Sequence, residues 1–288
     1  MSDGFYADKI YWVTGASSGI GQALAIELSK RGAKLILSGR NRDALEETRS
    51  ALATDAFILA FDTTDYDALP GLVDQALAWQ GRIDGLINNA GISQRSLIVD
   101  TGMDVYRRIM EVDFFAPVAL TKLVLPSMIA AGSGHVSIVS SLAGKIGTPV
   151  RSGYCAAKHA CVGWFDSLRA ETEKAYGLTV SVILPGSVKT GVSRNALTGS
   201  GAARGVSDAN IEAGMDPAEA ARRILDQIET GEREIVIAEG MEKAALDLRA
   251  KDPEPLYGML AAQGAELAAS AGSGEPLELR RINEPAEG

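Results

Sequence analysis

The sequence predicts an α/β protein: a doubly wound parallel sheet of about seven strands with helices on both faces. Two observations lead there. Short apolar runs rich in Val, Ile and Leu alternate with longer stretches of helical periodicity over the first 240 residues. That is the pattern of parallel strands joined by crossover helices. The first apolar run also leads straight into a glycine cluster that opens a helix, a place where backbone amides can hold a phosphate. No internal repeat suggests a solenoid.

The first strand is read over residues 9–14, and the glycine cluster is Gly15-Ala16-Ser17-Ser18-Gly19-Ile20-Gly21. A helix then runs over residues 22–31, with Leu24, Ile26 and Leu28 in its pattern and Gly32 as its stop. The second strand covers residues 34–38 and ends in Gly39-Arg40-Asn41-Arg42. A helix over 43–52, a strand over 56–61 ending in Asp62-Thr63, and a helix over 66–80 follow. The fourth strand, 83–88, runs into Asn89-Ala90-Gly91, whose small and amide residues let a loop approach a ligand closely. Residues 103–128 read as a long helical stretch broken or kinked at Pro117 and at Pro126.

A buried strand over 135–139 precedes Ser140-Ser141, and a helix carrying Tyr154 and Lys158 extends to Tyr176. The sixth strand, 178–184, ends sharply at Pro185-Gly186. Residues 191–214 are rich in Gly, Ser and Ala and lack apolar periodicity, so they read as a mobile loop or lid. Pro217 starts a helix, and 234–238 is the seventh strand. The plan is therefore one catalytic domain over 1–240 and a helical extension over 241–288. In the extension, helices are expected over 241–250 and 256–268, with a weakly ordered tail from about Ser270.

The chain has 288 residues, 46% of them hydrophobic, and a net charge of −9. That acidity argues against a nucleic-acid or anionic-membrane partner. No run of about 18 consecutive apolar residues is present and the N-terminus lacks a secretory pattern, so the expectation is a cytoplasmic protein that does not span a membrane. Cys155 and Cys161, the only cysteines, fall six apart on a helix and face different ways, which suits a reducing compartment. The two histidines have no acidic or cysteine cluster at metal-ligand spacing, so no metal site is expected.

The chemistry is concentrated between Ser141 and Lys158. Tyr154 and Lys158 are four apart on a helix and therefore neighbours on one face. Ser141 lies at the C-terminal end of a strand, where open α/β sheets bind their ligands. A tyrosine is a poor base at neutral pH, with a free pKa of about 10, and a lysine cation beside it favours the phenolate. A hydroxyl, a phenol and an ammonium acting on one oxygen suit proton transfer to or from a carbonyl group. At the second strand, Gly39 stands where a carboxylate would hold the ribose 2′-hydroxyl of NAD, and Arg40 suits the 2′-phosphate of NADP.

Together these pieces, in this order, resemble the short-chain dehydrogenases/reductases over roughly residues 7–240. The resemblance implies a Rossmann-like fold. Gly15, Ser17, Ser18, Gly19, Ile20 and Gly21 would form the cofactor turn, and Asp62, with Thr63, the adenine site. Asn89, Ala90 and Gly91 would lie beside the cofactor, and Pro185, Gly186, Val188 and Thr190 would hold the nicotinamide side. Ser141, Tyr154 and Lys158 would be the catalytic residues, Lys158 also gripping the ribose. The family's fourth catalytic residue, an asparagine acting largely through its backbone carbonyl, is replaced here by Asp113. The implied function is hydride exchange between NADP(H) and a small-molecule carbonyl or secondary alcohol, in a homodimer or homotetramer. Two alternatives stand beside it: an NAD-dependent secondary-alcohol dehydrogenase, and a dinucleotide-binding sensor without turnover. Ser93, Leu142, Ile146, Val150 and Val192 are expected to wall a mostly apolar substrate pocket.

Overall fold

The computed structural model describes residues 4–271 and residue 277. Seven strands form one sheet: β1 (Ile10–Thr14), β2 (Lys34–Gly39), β3 (Ala56–Ala60), β4 (Gly85–Asn88), β5 (Gly134–Val139), β6 (Leu178–Pro185) and β7 (Glu234–Ile237). Their order is β3-β2-β1-β4-β5-β6-β7, and every neighbouring pair is parallel. The chain therefore winds outward from β1 in one direction and then from β4 in the other. The crevice opens between those two strands, outside their C-terminal ends. All five residues of β1 are buried, as a strand covered on both faces requires.

The helices are α1 (Gly19–Lys30), α2 (Arg42–Ser50), α3 (Leu69–Gln80), α4 (Met103–Met110), α5 (Ala116–Ala131), α6 (Ser152–Tyr176), α7 (Ala209–Glu212), α8 (Pro217–Glu229), α9 (Gly240–Lys251) and α10 (Pro253–Ser270). Strand side chains alternate between two cores. Tyr11 and Val13 face α1 and α8 through Leu24, Leu28, Ile224 and Leu225. Ile10 and Trp12 face the opposite layer, where Val73 of α3, Val124 of α5 and Phe165 of α6 close over the sheet. Each such large apolar side chain contributes about 1.5–3 kcal/mol by leaving water. The α9–α10 pair adds a smaller cluster, with Ala245 and Leu256 against Ile146, and Leu267 against Val150.

Several expectations change. The third helix starts at Leu69 rather than residue 66, because Asp65 first makes a turn whose carbonyl accepts from the Ala68 amide. Strand β4 begins at Gly85, where pairing with Tyr11 starts. The stretch 103–128 is not broken at Pro117. A π-helical turn, Glu111–Phe115, joins α4 to α5, Pro117 sits harmlessly in the first turn of α5, and Pro126 is carried inside that helix. The continuous rod Met103–Ala131 is, by length and composition, apolar enough to cross a membrane, with mean hydropathy 1.7 over an 18-residue window of which 33% is buried. Counting consecutive apolar residues missed it. Its Leu120, Val124 and Met128 dock on the sheet.

The stretch 191–214, read as a mobile loop or lid, carries local structure of its own. Leu197 bridges both Gln94 and Ala203, a short helix forms at Ala209–Glu212, and Ser193, Ala196 and Asp208 are buried. Of the tail expected from about Ser270, Ser270 closes α10 and Ala271 follows it, and the remainder apart from Leu277 lies outside the described residues.

Candidate active site

A cleft of about 1410 Å³ runs along the C-terminal ends of the strands. Its floor is the turn between β1 and α1. Gly15 and Gly19 have φ of 65° and 57°, which favour glycine. A side chain on Gly21 would put a carbon 2.3 Å from both the Asn89 amide nitrogen and the Gly15 carbonyl. Asn89 holds this turn in place, donating from Nδ2 to the carbonyls of Thr14 (3.0 Å) and Gly15 (3.3 Å). The Thr14 hydroxyl in return accepts from the amides of Asn89 (3.0 Å) and Ala90 (3.1 Å). Asn88 points the other way, into the core, and donates to Thr121 Oγ1 at 3.0 Å. A floor closed to side chains, at the N-terminus of a helix with orphan amides, fits a dinucleotide pyrophosphate.

The other expected cofactor residues are distributed along the same cleft. Ser17, Ser18, Ile20, Arg40, Asp62, Thr63, Ala90, Gly91, Pro185, Gly186, Val188 and Thr190 all line it. Gly21 lies beneath the floor rather than on it. Asp62 Oδ1 accepts from the amide (3.0 Å) and hydroxyl (2.8 Å) of Thr64. Burial opposes its charge, but these bonds and the nearby Arg40 hold its carboxyl below the usual aspartate value.

Ser141, Tyr154 and Lys158 line the middle of the cleft. Ser141 follows β5, accepts from the Ala143 amide at 3.1 Å, and makes a long 3.4 Å bond to the Pro185 carbonyl. Lys158 is 3% exposed. Its ammonium donates to the Val139 carbonyl at 3.1 Å and lies 5.5 Å from the ring centre of Tyr154. It also pairs with Asp113 Oδ2 at 3.2 Å. Burial works against the Lys158 charge, yet the Asp113 carboxylate, with smaller help from Tyr154, holds the ammonium above its ordinary value.

The sequence model of the short chain dehydrogenase family matches residues 9–200. This chain belongs to that family. A relative from Bos taurus, dehydrogenase/reductase SDR family member 7B, is 41% identical over 268 residues, spanning 90% of this chain and 82% of the relative. Among solved structures, levodione reductase superposes with a TM-score of 0.73 at 25% identity, over 83% of this chain and 99% of its own. A metagenomic short-chain oxidoreductase in complex with NADP gives 0.67 at 27% identity, over 81% of this chain and 98% of its own. The fold is accordingly the dinucleotide-binding fold of the short-chain dehydrogenases, and the chain is of the oxidoreductase type.

Within this short-chain dehydrogenase, Asp113 departs from what the resemblance suggests. It lies behind Lys158, 1% exposed, in the π-helical turn. Its carbonyl accepts from Cys161 Sγ at 3.0 Å, its Oδ1 accepts from the Ile92 amide at 2.8 Å, and its Oδ2 faces Lys158. The carboxylate is thus engaged with the lysine directly.

Three further groups at the cleft are not singled out by the sequence. Glu242, on α9, reaches back across the cleft and accepts from the amide (3.0 Å) and hydroxyl (2.6 Å) of Ser187. Arg95 and Arg151 line the pocket, while the expected Ser93 and Val150 do not, although Leu142, Ile146 and Val192 do. Ser93 is instead consumed by Arg95, whose Nη1 donates to its hydroxyl at 2.8 Å. The pocket is therefore more polar than expected. Arg95 and Arg151 had a sequence signal, since they lie in the loop after Asn-Asn-Ala-Gly and in the stretch 142–151, both expected to wall the pocket. Glu242 had none.

Proposed function

We propose that this protein is an NADP(H)-dependent short-chain dehydrogenase/reductase that interconverts a carbonyl group and a secondary alcohol, with Tyr154 as general acid and base. The observation that carries the reading is the convergence of Ser141, Tyr154 and Lys158 on one cleft with the glycine floor. The bound cofactor supplies or accepts the hydride. The rest is done by side chains. The Ser141 hydroxyl exchanges its long bond to Pro185 for one to the substrate oxygen and fixes that oxygen beside the phenol. Tyr154 gives its proton to the oxygen in reduction and takes it back in oxidation. Lys158, kept charged by Asp113, places a positive charge behind the phenolate left when the proton departs.

Arg40 and Ser17 support the choice of NADP. Arg40 follows β2 directly, and Ser17 Oγ lies 3.3 Å from the point where a side chain on Gly39 would begin. A guanidinium and a hydroxyl flank this corner, and Gly39 brings no carboxylate to repel a phosphate. The acidic charge balance and two free cysteines support a cytoplasmic enzyme that takes small molecules rather than nucleic acid. The carboxyl-terminal helices 240–270 are read as an extension of the catalytic domain that closes one end of its cleft.

The test is Tyr154→Phe, assayed with NADPH and a panel of ketones. Turnover should fall by roughly 10²–10⁴-fold while cofactor affinity stays near that of the parent, since the ring is kept. Turnover within a few-fold of the parent would remove Tyr154 from the mechanism.

A further inference from the structure

The pocket wall holds more positive charge than the protein answers. Asp208 is fully buried, and three guanidiniums converge on it. Arg95 grips it side-on, with Nε at 2.8 Å and Nη2 at 2.6 Å from Oδ2. Arg204 takes Oδ1. Arg151 is left with a 3.4 Å contact from Nη2 to the already doubly occupied Oδ2, and its buried Nε has no partner. Among the described residues, Asp208 is the one carboxylate within ion-pair distance of either Arg95 or Arg151. Leaving Arg204 aside, two guanidiniums that line the cleft thus share a single negative charge. Burying an unanswered charge is costly unless something pairs with it.

The local backbone shows that Arg151 is held there against resistance. Val150, the residue before it, has φ of 54°. A β-branched residue in that region is strained, and such strain concentrates at ligand sites. Its carbonyl is fixed by the Ser96 amide at 3.1 Å. Arg151 then caps α6, whose positive end adds to the same field. Tyr154 follows three residues later, so the guanidinium and the phenol address one pocket. Burial and the neighbouring Arg95 push the Arg151 guanidinium down to about 10, as expected where positive charge is under-compensated.

We propose that Arg151, backed by Arg95, is an anion subsite, and that the substrate carries a carboxylate or phosphate group in addition to the carbonyl or alcohol that reacts at Tyr154. This rests on the reading of the cleft as a ketone or alcohol site. Arg95 serves mainly to staple the 191–214 segment through Asp208, and Arg151 offers the unclaimed donors. A guanidinium presents planar, paired N–H groups that match either anion.

The experiment uses a matched set of methyl ketones of equal chain length ending in methyl, carboxylate or phosphate, with the corresponding alcohols for equilibrium binding by calorimetry in the presence of cofactor. In the parent protein, kcat/KM for one anionic ketone should exceed that for the neutral ketone by roughly ten- to a hundredfold. Comparing the carboxylate and phosphate arms shows which anion the site takes. In Arg151→Gln that ratio should fall toward one, and in Arg151→Lys it should be partly kept. The ratio is immune to a general loss of folded enzyme. No preference for either anion, in turnover or in binding, would overturn the proposal even if neutral ketones are reduced well. A preference unchanged in Arg151→Gln would overturn the site. Should no ketone turn over at all, the reductase reading fails. The calorimetric preference for an anionic alcohol, lost in Arg151→Gln, then still decides the subsite.

Discussion

At the residue scale, Arg40 and Asp113 show how one side chain sets a property of the whole cleft. A charge-assisted hydrogen bond to a 2′-phosphate contributes about 1.5–3 kcal/mol, so NADP should be preferred to NAD by roughly ten- to a hundredfold. Gly39→Asp combined with Arg40→Leu should reverse this, by repelling the phosphate and offering the ribose hydroxyls an acceptor. The ratio of kcat/KM for NADPH and NADH in both proteins measures it, and a parent that prefers NADH would reduce Arg40 to a surface arginine. For Asp113, an action through the carbonyl alone would make Asn a harmless replacement. The 3.2 Å contact with Lys158 argues otherwise. Asp113→Asn removes the charge that holds the buried ammonium above its ordinary value, so burial then lowers it. The alkaline limb of the pH–rate profile should move to lower pH, and an unmoved limb would mean that Lys158 does not depend on the carboxylate.

At the scale of elements, β5 carries a titratable group that the chemistry does not use. His135 is the second residue of the strand, buried, with Nε2 at 3.2 Å from both Ser137 and Ser181. Burial, and more weakly Lys9, depress it to about 4. An unfolded histidine titrates near 6.5, so between those values the unfolded chain binds the proton and the folded one does not. Stability is therefore complete above about pH 6.5 and is lost as pH falls toward 4, by about 3 kcal/mol in total. Urea midpoints measured from pH 7 to pH 4.5 should fall in the parent and fall less in His135→Gln. Equal slopes would exclude His135 as the source. The same scale shows why some elements could be read from sequence and others could not. Strands such as 34–39 and 178–185 are short runs rich in Leu, Ile and Val and closed by glycine or proline, which leaves little choice of structure. Residues 191–214 carry no such signal, because their order comes from Arg95 and Asp208, 113 positions apart in the chain.

For the whole molecule, local patterns specified the seven-stranded sheet, the glycine floor and the spacing of Ser141, Tyr154 and Lys158. They were silent on what closes the cleft. Glu242 meets Ser187 across 55 residues, and α9 and α10 pack on Ile146 and Val150, which lie about a hundred positions earlier in the chain. In the rod Met103–Ala131 only 33% of the 18-residue apolar window is fully buried in a single chain, and Val118, Leu123 and Leu125 are half-buried. Apolar side chains left partly in water along one helix suit an interface between copies of the chain. A homodimer or homotetramer built on this face should be seen by light scattering at micromolar concentration, and Leu123→Glu should shift it toward the monomer. A parent of 30.2 kDa throughout would refute it.

The π-helical turn at Glu111–Phe115 has a geometric consequence. It accommodates one residue more than an α-helical turn would. One residue is worth about 100° of rotation around a helix axis. The insertion therefore phases α5 against α4, so that Leu120, Val124 and Met128 meet the sheet while Val105 and Ile109 of α4 meet Ala157. Deleting any single residue between 111 and 115 would restore an unbroken α-helix and rotate the two halves out of phase. Either the sheet-facing row of α5 or the α6-facing row of α4 would then turn toward water. Asp113 belongs to the phase-setting residues, so the side chain that steadies Lys158 sits in the same turn that aligns these two helices.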